Sequence, residues 1–258
     1  MCIVIVKPAG VDVPDVDTLF NCWASNPDGA GFCVADGGVV AGSKGYMDFE
    51  GFILDLYRKV DKKMSALIHF RIGTHGRMDG TATHPFPLSN NPKFLRDKKW
   101  MAEDGVAHNG IIHGFGNKKT SDTQAFIGKV MFPEKQTIHR KTTANRIGKQ
   151  AKGNKIAILN KSGHCTLIGD WIEDSGCLWS NFSYISRWNH SNVQSLVDCP
   201  LYSLADQDDD CVMCEHYNWV EDSCSLVKCI GDCEQESMYD LMYEEEKAMY
   251  DAESDLYE

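Results

Sequence analysis

No run in this chain approaches the ~18–20 consecutive apolar residues that a membrane-spanning helix needs, so no membrane partner is expected. No basic stretch leads into an apolar segment and a small-residue cleavage site, which argues against a secretory signal. Its 11 cysteines therefore suggest a reducing, cytoplasmic setting, with thiols used for catalysis or metal binding rather than disulfides. A phosphate-cradling P-loop and a dinucleotide-binding glycine fingerprint are both missing, and no short internal repeat is visible. Basic side chains are scarce at one end. Residues 200–258 carry 18 Asp/Glu against 2 Lys/Arg, while the rest of the chain is mildly basic. The break beside Asp198-Cys199-Pro200 sets the expected organisation: a main domain over 2–199, a cysteine-rich segment over 200–233 and an acidic tail or helix over 234–258. Lys93, Arg96, Lys98 and Lys99, and a second basic set from Lys135 to Lys155, are not interleaved with stacking aromatics. They read as solvated loops, and nucleic acid is not expected as a partner.

What is present suits a full core plus an appendage: 258 residues, 43% of them hydrophobic. Apolar strand patterns fall near 2–7, 30–35, 38–42, 65–71, 105–112, 155–160, 164–169 and 176–180, and helical ones near 15–25, 49–60 and 121–131. Helices segregated from antiparallel strands give an α+β class. Cys22, Cys33, Cys165 and Cys177 sit in apolar contexts and read as core residues.

Cys2 opens the first strand. Cysteine is small enough for Met1 to be trimmed, which would leave Cys2 as the N-terminus with a nucleophile and a base in one residue. A free α-amine, with a pKa of about 7.7–8.0, can take the thiol proton near neutral pH. Downstream, His69-Phe70-Arg71-Ile72-Gly73-Thr74-His75-Gly76 runs from a strand into a loop. His84-Pro85-Phe86, His108-Asn109-Gly110 and Ser121-Asp122-Thr123 follow, the last with Ser121 or Asp122 as a helix N-cap. Taken alone, Asn109-Gly110 reads as a hairpin turn, Arg71 as a surface salt-bridge partner and Asp122 as a cap.

In order and approximate spacing, Cys2 and these four motifs resemble the glutaminase domain of class II glutamine amidotransferases, an N-terminal-nucleophile (Ntn) hydrolase family. The likeness covers roughly residues 2–190, and Asn26-Pro-Asp-Gly-Ala-Gly-Phe32 is similar to the family's small single-domain members. It implies a four-layer α/β/β/α sandwich, which periodicity did not reveal. It further implies that Cys2 attacks the side-chain amide of L-glutamine while Asn109 and Gly110 hold the oxyanion. Arg71 would bind the substrate α-carboxylate, Asp122 the α-ammonium, and Thr74 and His75 would line the pocket. His69, His84 and His108 are expected to be structural. Ile72-Gly73 departs from the aromatic-small pair of synthase-fused members. No catalytic cofactor is implied. The ammonia would pass to a partner synthase, since the residues after 200 are too few to form one. The rival readings are a non-catalytic Ntn-fold protein that uses its acidic C-terminus for interaction, and an amidohydrolase for another amide.

The C-terminal cysteines pose a separate question. Cys211 and Cys214 form a C-x2-C pair, and Cys229 and Cys233 a C-x3-C pair. A structural zinc on these four is the preferred reading over free thiols or disulfides, with Cys224 or His216 as substitutes. Beyond them, Met238, Leu241, Met242, Met249 and Tyr250 make one helical stripe against an acidic face. A solvated helix or tail, a docking helix for a basic protein partner, or a surface that imitates the charge of nucleic acid fits that pattern.

Overall fold

The opening strand, Ile3–Lys7 (β1), is buried on both faces and lies in the interior of a sheet rather than at its edge. The chain is represented by a computed structural model that describes residues 2–73, 80–117 and 120–185, together with the backbone of 217–218 and 223–224. It divides into two compact units, Met1–Tyr202 and Ser203–Glu258. In the second, Tyr217–Asn218 pairs antiparallel with Ser223–Cys224.

The first unit is α+β, with two antiparallel sheets. One has seven strands: β1, Ala30–Asp36 (β2), Val39–Tyr46 (β3), Ala66–Phe70 (β4), Lys99–Ala102 (β6), Ile172–Asp174 (β10) and Cys177–Trp179 (β11), in the order β10-β11-β1-β4-β2-β3-β6. The other has four: Phe86–Pro87 (β5), Asp104–Asn109 (β7), Lys155–Asn160 (β8) and Cys165–Ile168 (β9), in the order β5-β7-β8-β9. The expected 155–169 hairpin is present as β8 and β9.

Side-chain alternation assigns the faces. Val4 and Val6 of β1, Cys33, Val40, Leu67 and Trp100 meet Ala107, Ala157 and Leu159 of the smaller sheet. Ile3 pairs with Phe70, whose ring packs edge-on against Phe52 and Trp23 on the opposite face. Those rings belong to two helices, Val16–Ala24 (α1) and Phe49–Lys59 (α2), and each helix starts where an aspartate accepts a backbone N–H: Asp15 from Thr18 and Asp48 from Gly51. Burying Ile3, Val4, Ile5 and Val6 contributes roughly 6–12 kcal/mol, on a par with the whole net stability of a domain. Displacing β1 would therefore amount to unfolding.

The far face of the smaller sheet packs Phe86, Val106, Ile156 and Ile158 against Phe126, Ile127, Met131 and Ile147. The helix expected over 121–131 is Asp122–Phe126 (α3), opened by a reciprocal Ser121–Gln124 capping box and continued by one π-helical stretch, Ile127–Met131. The basic stretch between 135 and 155 corrects the solvated-loop reading. It holds a helix, Lys141–Ala151 (α4), whose Thr143, Ala144, Ile147 and Ala151 face the core while its lysines face water. High polarity masked that thin apolar stripe. In the other basic cluster, Lys99 belongs to β6 rather than to a loop. Cys22, Cys33 and Cys177 are buried, whereas Cys165 is only partly so, at the margin of the inter-sheet cluster. Among the described residues no helix is long and apolar enough to cross a membrane.

Gly42 on β3 leaves no room for a side chain, because a Cβ there would enter the indole of Trp100. Overpacking of this kind costs typically 1–3 kcal/mol, so Gly42→Ala is expected to lower the urea midpoint by that equivalent without changing the m-value.

Candidate active site

Cys2 lies one step beyond the Ile3–Phe70 pair, where Arg71 follows Phe70 on the neighbouring strand. By alternation from Val4 and His69, both side chains point to the inter-sheet side. The half-buried Cys2 thiol sits against the Ile72 peptide. The Ile72 N–H donates to Sγ at 3.4 Å, and Sγ lies 3.5 Å from the Ile72 carbonyl oxygen. Burial pushes the thiol above its ordinary value, while the Ile72 N–H, the N-terminal charge and the Arg71 guanidinium pull it down. Burial thus favours the thiol, while the Ile72 N–H and the nearby positive charge favour the thiolate.

Arg71 is buried, and its backbone is braced by the 26–29 turn. Its N–H donates to Gly29 O at 2.8 Å and its carbonyl accepts from Asp28 N–H at 2.9 Å. The Asp28 carboxylate then accepts from Gly73 N–H at 2.5 Å. Gly29 has φ +113° and faces the Thr83 methyl, so a side chain there would be both strained and crowded. The Asn-Pro-Asp-Gly segment thus holds the loop that carries Arg71.

Asn109 ends β7 on the inter-sheet face, buried, with its Nδ2 3.0 Å from Ser180 Oγ. Gly110 follows at φ +135°, and a Cβ on it would run into the Asn154 side chain. Asn154 in turn donates to the Ile111 and Lys152 carbonyls, each at 3.1 Å. Asp122 takes the Ile112 N–H at 2.8 Å on one oxygen and the Thr123 N–H at 2.8 Å on the other. Its carboxylate therefore ties the loop after Gly110 to the start of α3.

Residues 180 and 181 close the corner from the end of the first unit's last strand. Ser180 N–H donates to Val4 O at 2.9 Å, and Ser180 Oγ accepts the Val4 N–H at 2.8 Å. Asn181 Nδ2 donates to the Cys2 carbonyl at 2.7 Å. Asp28, Asn154, Ser180 and Asn181 carried no assigned role in the sequence. Asp28 lay within a recognised motif, but each of the other three bonds a partner 46 or more residues away, which leaves no local signal.

Behind the corner runs a column of buried histidines. The His84 ring lies 4.3 Å from that of His69, and its Nδ1 approaches the His108 carbonyl oxygen at 3.0 Å. His108 Nε2 meets Asn154 Oδ1 at 2.7 Å, and its Nδ1 meets Thr123 Oγ1 at 2.8 Å. An acceptor at Nε2 and a hydroxyl at Nδ1 suit a neutral ring protonated on Nε2. Buried side-chain atoms without a hydrogen-bond partner include Asn109 Oδ1, both His69 ring nitrogens and Asn26 Oδ1. Native interiors seldom leave such atoms unpaired, and those of Asn109 and His69 fall on or behind the inter-sheet corner.

Thr74, His75, Cys211, Cys214, Cys229 and Cys233 lie outside the described residues. Among the described residues, no group of His, Cys, Asp and Glu is arranged to hold a metal ion. No protein-family model matches the sequence, and no curated protein is similar enough to count as a relative.

Burial holds His69, His84 and His108 below the ordinary histidine value of 6.5, so the fold favours all three neutral. As pH falls below about 6.5 the unfolded chain takes up protons that the folded one refuses. Each such histidine removes up to ~1.4 kcal/mol per pH unit. Stability, read as the urea midpoint between pH 7.5 and 5, is expected to be full above 6.5 and to fall steeply below it. Replacing His108 with Gln should flatten that slope.

Proposed function

We propose that this chain is a glutamine amidohydrolase that releases ammonia from L-glutamine through a thioester on Cys2. The observation that carries this reading is the corner itself: Cys2 Sγ on the Ile72 peptide, Arg71 on the adjoining strand, and Asn109-Gly110 at the end of a strand of the facing sheet. The motif order supports it independently. So does the packing of helices on the outer face of each antiparallel sheet, which suits the four-layer α/β/β/α arrangement of Ntn hydrolases.

The chemistry follows from the parts. While Met1 remains, the nitrogen of Cys2 is an amide and cannot act as a base; its removal frees an amine with a pKa near 7.7–8.0. That amine takes the thiol proton, and the sulfur attacks the side-chain carbonyl carbon of glutamine. The developing oxyanion is held by the Asn109 amide and the Gly110 N–H, each donor worth on the order of 2.7–4 kcal/mol in the transition state. The ammonium of Cys2 then protonates the departing nitrogen. Ammonia leaves, and water, deprotonated by the same amine, hydrolyses the γ-glutamyl thioester to glutamate and free thiol. Arg71 supplies a planar fork for the substrate carboxylate, and Asp122 a negative charge for its ammonium. Ammonia transfer to a separate synthase, and a zinc on Cys211, Cys214, Cys229 and Cys233, belong to the same proposal.

The test is intact mass before and after treatment with a diazo-ketone analogue of glutamine, with Cys2→Ala as control. The expected result is a protein lacking Met1 that gains one adduct, which the variant does not. Retained Met1, or a trimmed protein that gains none, would turn the reading toward an interaction protein or another amide. Arg71→Lys keeps the charge but loses the fork. It is expected to raise KM for glutamine roughly 10–100-fold with a smaller effect on kcat, as measured by ammonia release.

A further inference from the structure

Ser180 raises a question of hydrogen-bond accounting. Its side chain is fully buried, its N–H is held by Val4 O at 2.9 Å, and its carbonyl accepts from Lys155 Nζ. Fixed on both sides, the hydroxyl has little freedom to move. Oγ already receives the Val4 N–H at 2.8 Å. If it also receives an N–H from Asn109 at 3.0 Å, both acceptor positions are filled and its own proton finds no acceptor among the described residues. Meanwhile Asn109 Oδ1 is buried with no partner. A donor without an acceptor and an acceptor without a donor thus lie on adjacent side chains.

One rotation gives the Ser180 proton an acceptor and turns the unpaired Asn109 atom from an acceptor into a donor. The amide of asparagine has nearly the same shape when turned by 180°, so the hydrogen-bond network decides its orientation. With Asn109 turned, the Ser180 hydroxyl donates to Oδ1 while still accepting from Val4. The Asn109 NH2 then occupies the unpaired position, on the inter-sheet side where Cys2 lies.

We infer that Ser180 is a positioning residue: its hydroxyl fixes the Asn109 amide with the NH2 presented to the site, so that an oxyanion meets a donor rather than a carbonyl oxygen. Asn181 completes the device. Its Nδ2 holds the Cys2 carbonyl at 2.7 Å, and its Oδ1 accepts the Ser183 N–H at 3.0 Å, which fixes its own orientation. One dipeptide therefore sets both the residue that attacks and the group that receives the charge. This inference rests on the glutaminase reading above and adds a residue to it.

The experiment uses the full-length parent, Ser180→Ala and Ser180→Cys. Cysteine has nearly the size of serine and only a weak S–H donor, so it keeps the question answerable if the alanine variant does not fold. Four quantities are read: kcat and KM for glutamine, the alkylation rate of Cys2 by iodoacetamide, and the thermal midpoint. Because a misdirected oxyanion donor acts in the transition state, kcat is expected to fall on the order of 10²-fold, with KM and the iodoacetamide rate close to the parent's. An active parent whose variants keep its kcat overturns the inference alone. So does a parallel fall in kcat and iodoacetamide rate, because Ser180 would then shape the nucleophile strand rather than the amide. A parent inert toward both glutamine and its diazo-ketone analogue overturns the glutaminase reading, and this inference with it.

Discussion

Everything at the candidate site depends on the antiparallel pairing of β1 with its two neighbours. The strand is buried on both faces, and its ladders to β4 and β11 set where its first residues go. The pairing puts Cys2 beside the Ile72 peptide on one side and the Asn181 amide on the other. A side-chain period of two then leaves only one choice: a slip of one residue would turn Cys2 toward the aromatic helix layer and Ile3 toward the site. The rows of buried valine and isoleucine that hold the register thereby aim the sulfur as well.

The corner combines close packing with unpaired polar atoms. Gly29 and Gly110 hold backbone conformations that other residues seldom adopt, in places with no space for a side chain. Such sites are expensive to keep unless the surroundings enforce them, and here Asp28, Asn154 and Asp122 do so with directed hydrogen bonds. Beside this rigid frame, Asn109 keeps a buried atom with no partner. Strict order around an unsatisfied group is the arrangement expected where a ligand supplies the missing partner.

Much of the architecture could be read from the chain. Ile3–Val6, Ala30–Val34 and Ala66–Phe70 are apolar runs suited to strands buried on both faces, helical patterns mark α1 and α2, and Ser121 announces the start of α3. Elements with weak apolar signals escaped. α4 hides its stripe among lysines, and β10 is three residues long and largely exposed. At the site, residues within compact motifs could be named in advance, Asp28 among them as a motif member though not as a brace. Ser180, Asn181 and Asn154 could not. Their bonds to Val4, Asn109, Cys2 and His108 reach distant segments, and nothing in Trp-Ser-Asn or Gly-Asn-Lys distinguishes them from ordinary loop sequence.

The late arrival of β11 has a bearing on biosynthesis. Every recognisable motif of the site lies before residue 124, yet the segment that grips Val4 and Cys2 begins at Ser180. At ~5–20 residues per second, a ribosome takes roughly 3–11 s to travel from residue 124 to Ser180. For that interval the first strand lacks one of its two neighbours. Docking of β11 then completes the ladder on the second side of β1. A fragment ending after the final motif would thus have the signature residues but not the segment that grips Val4 and Cys2.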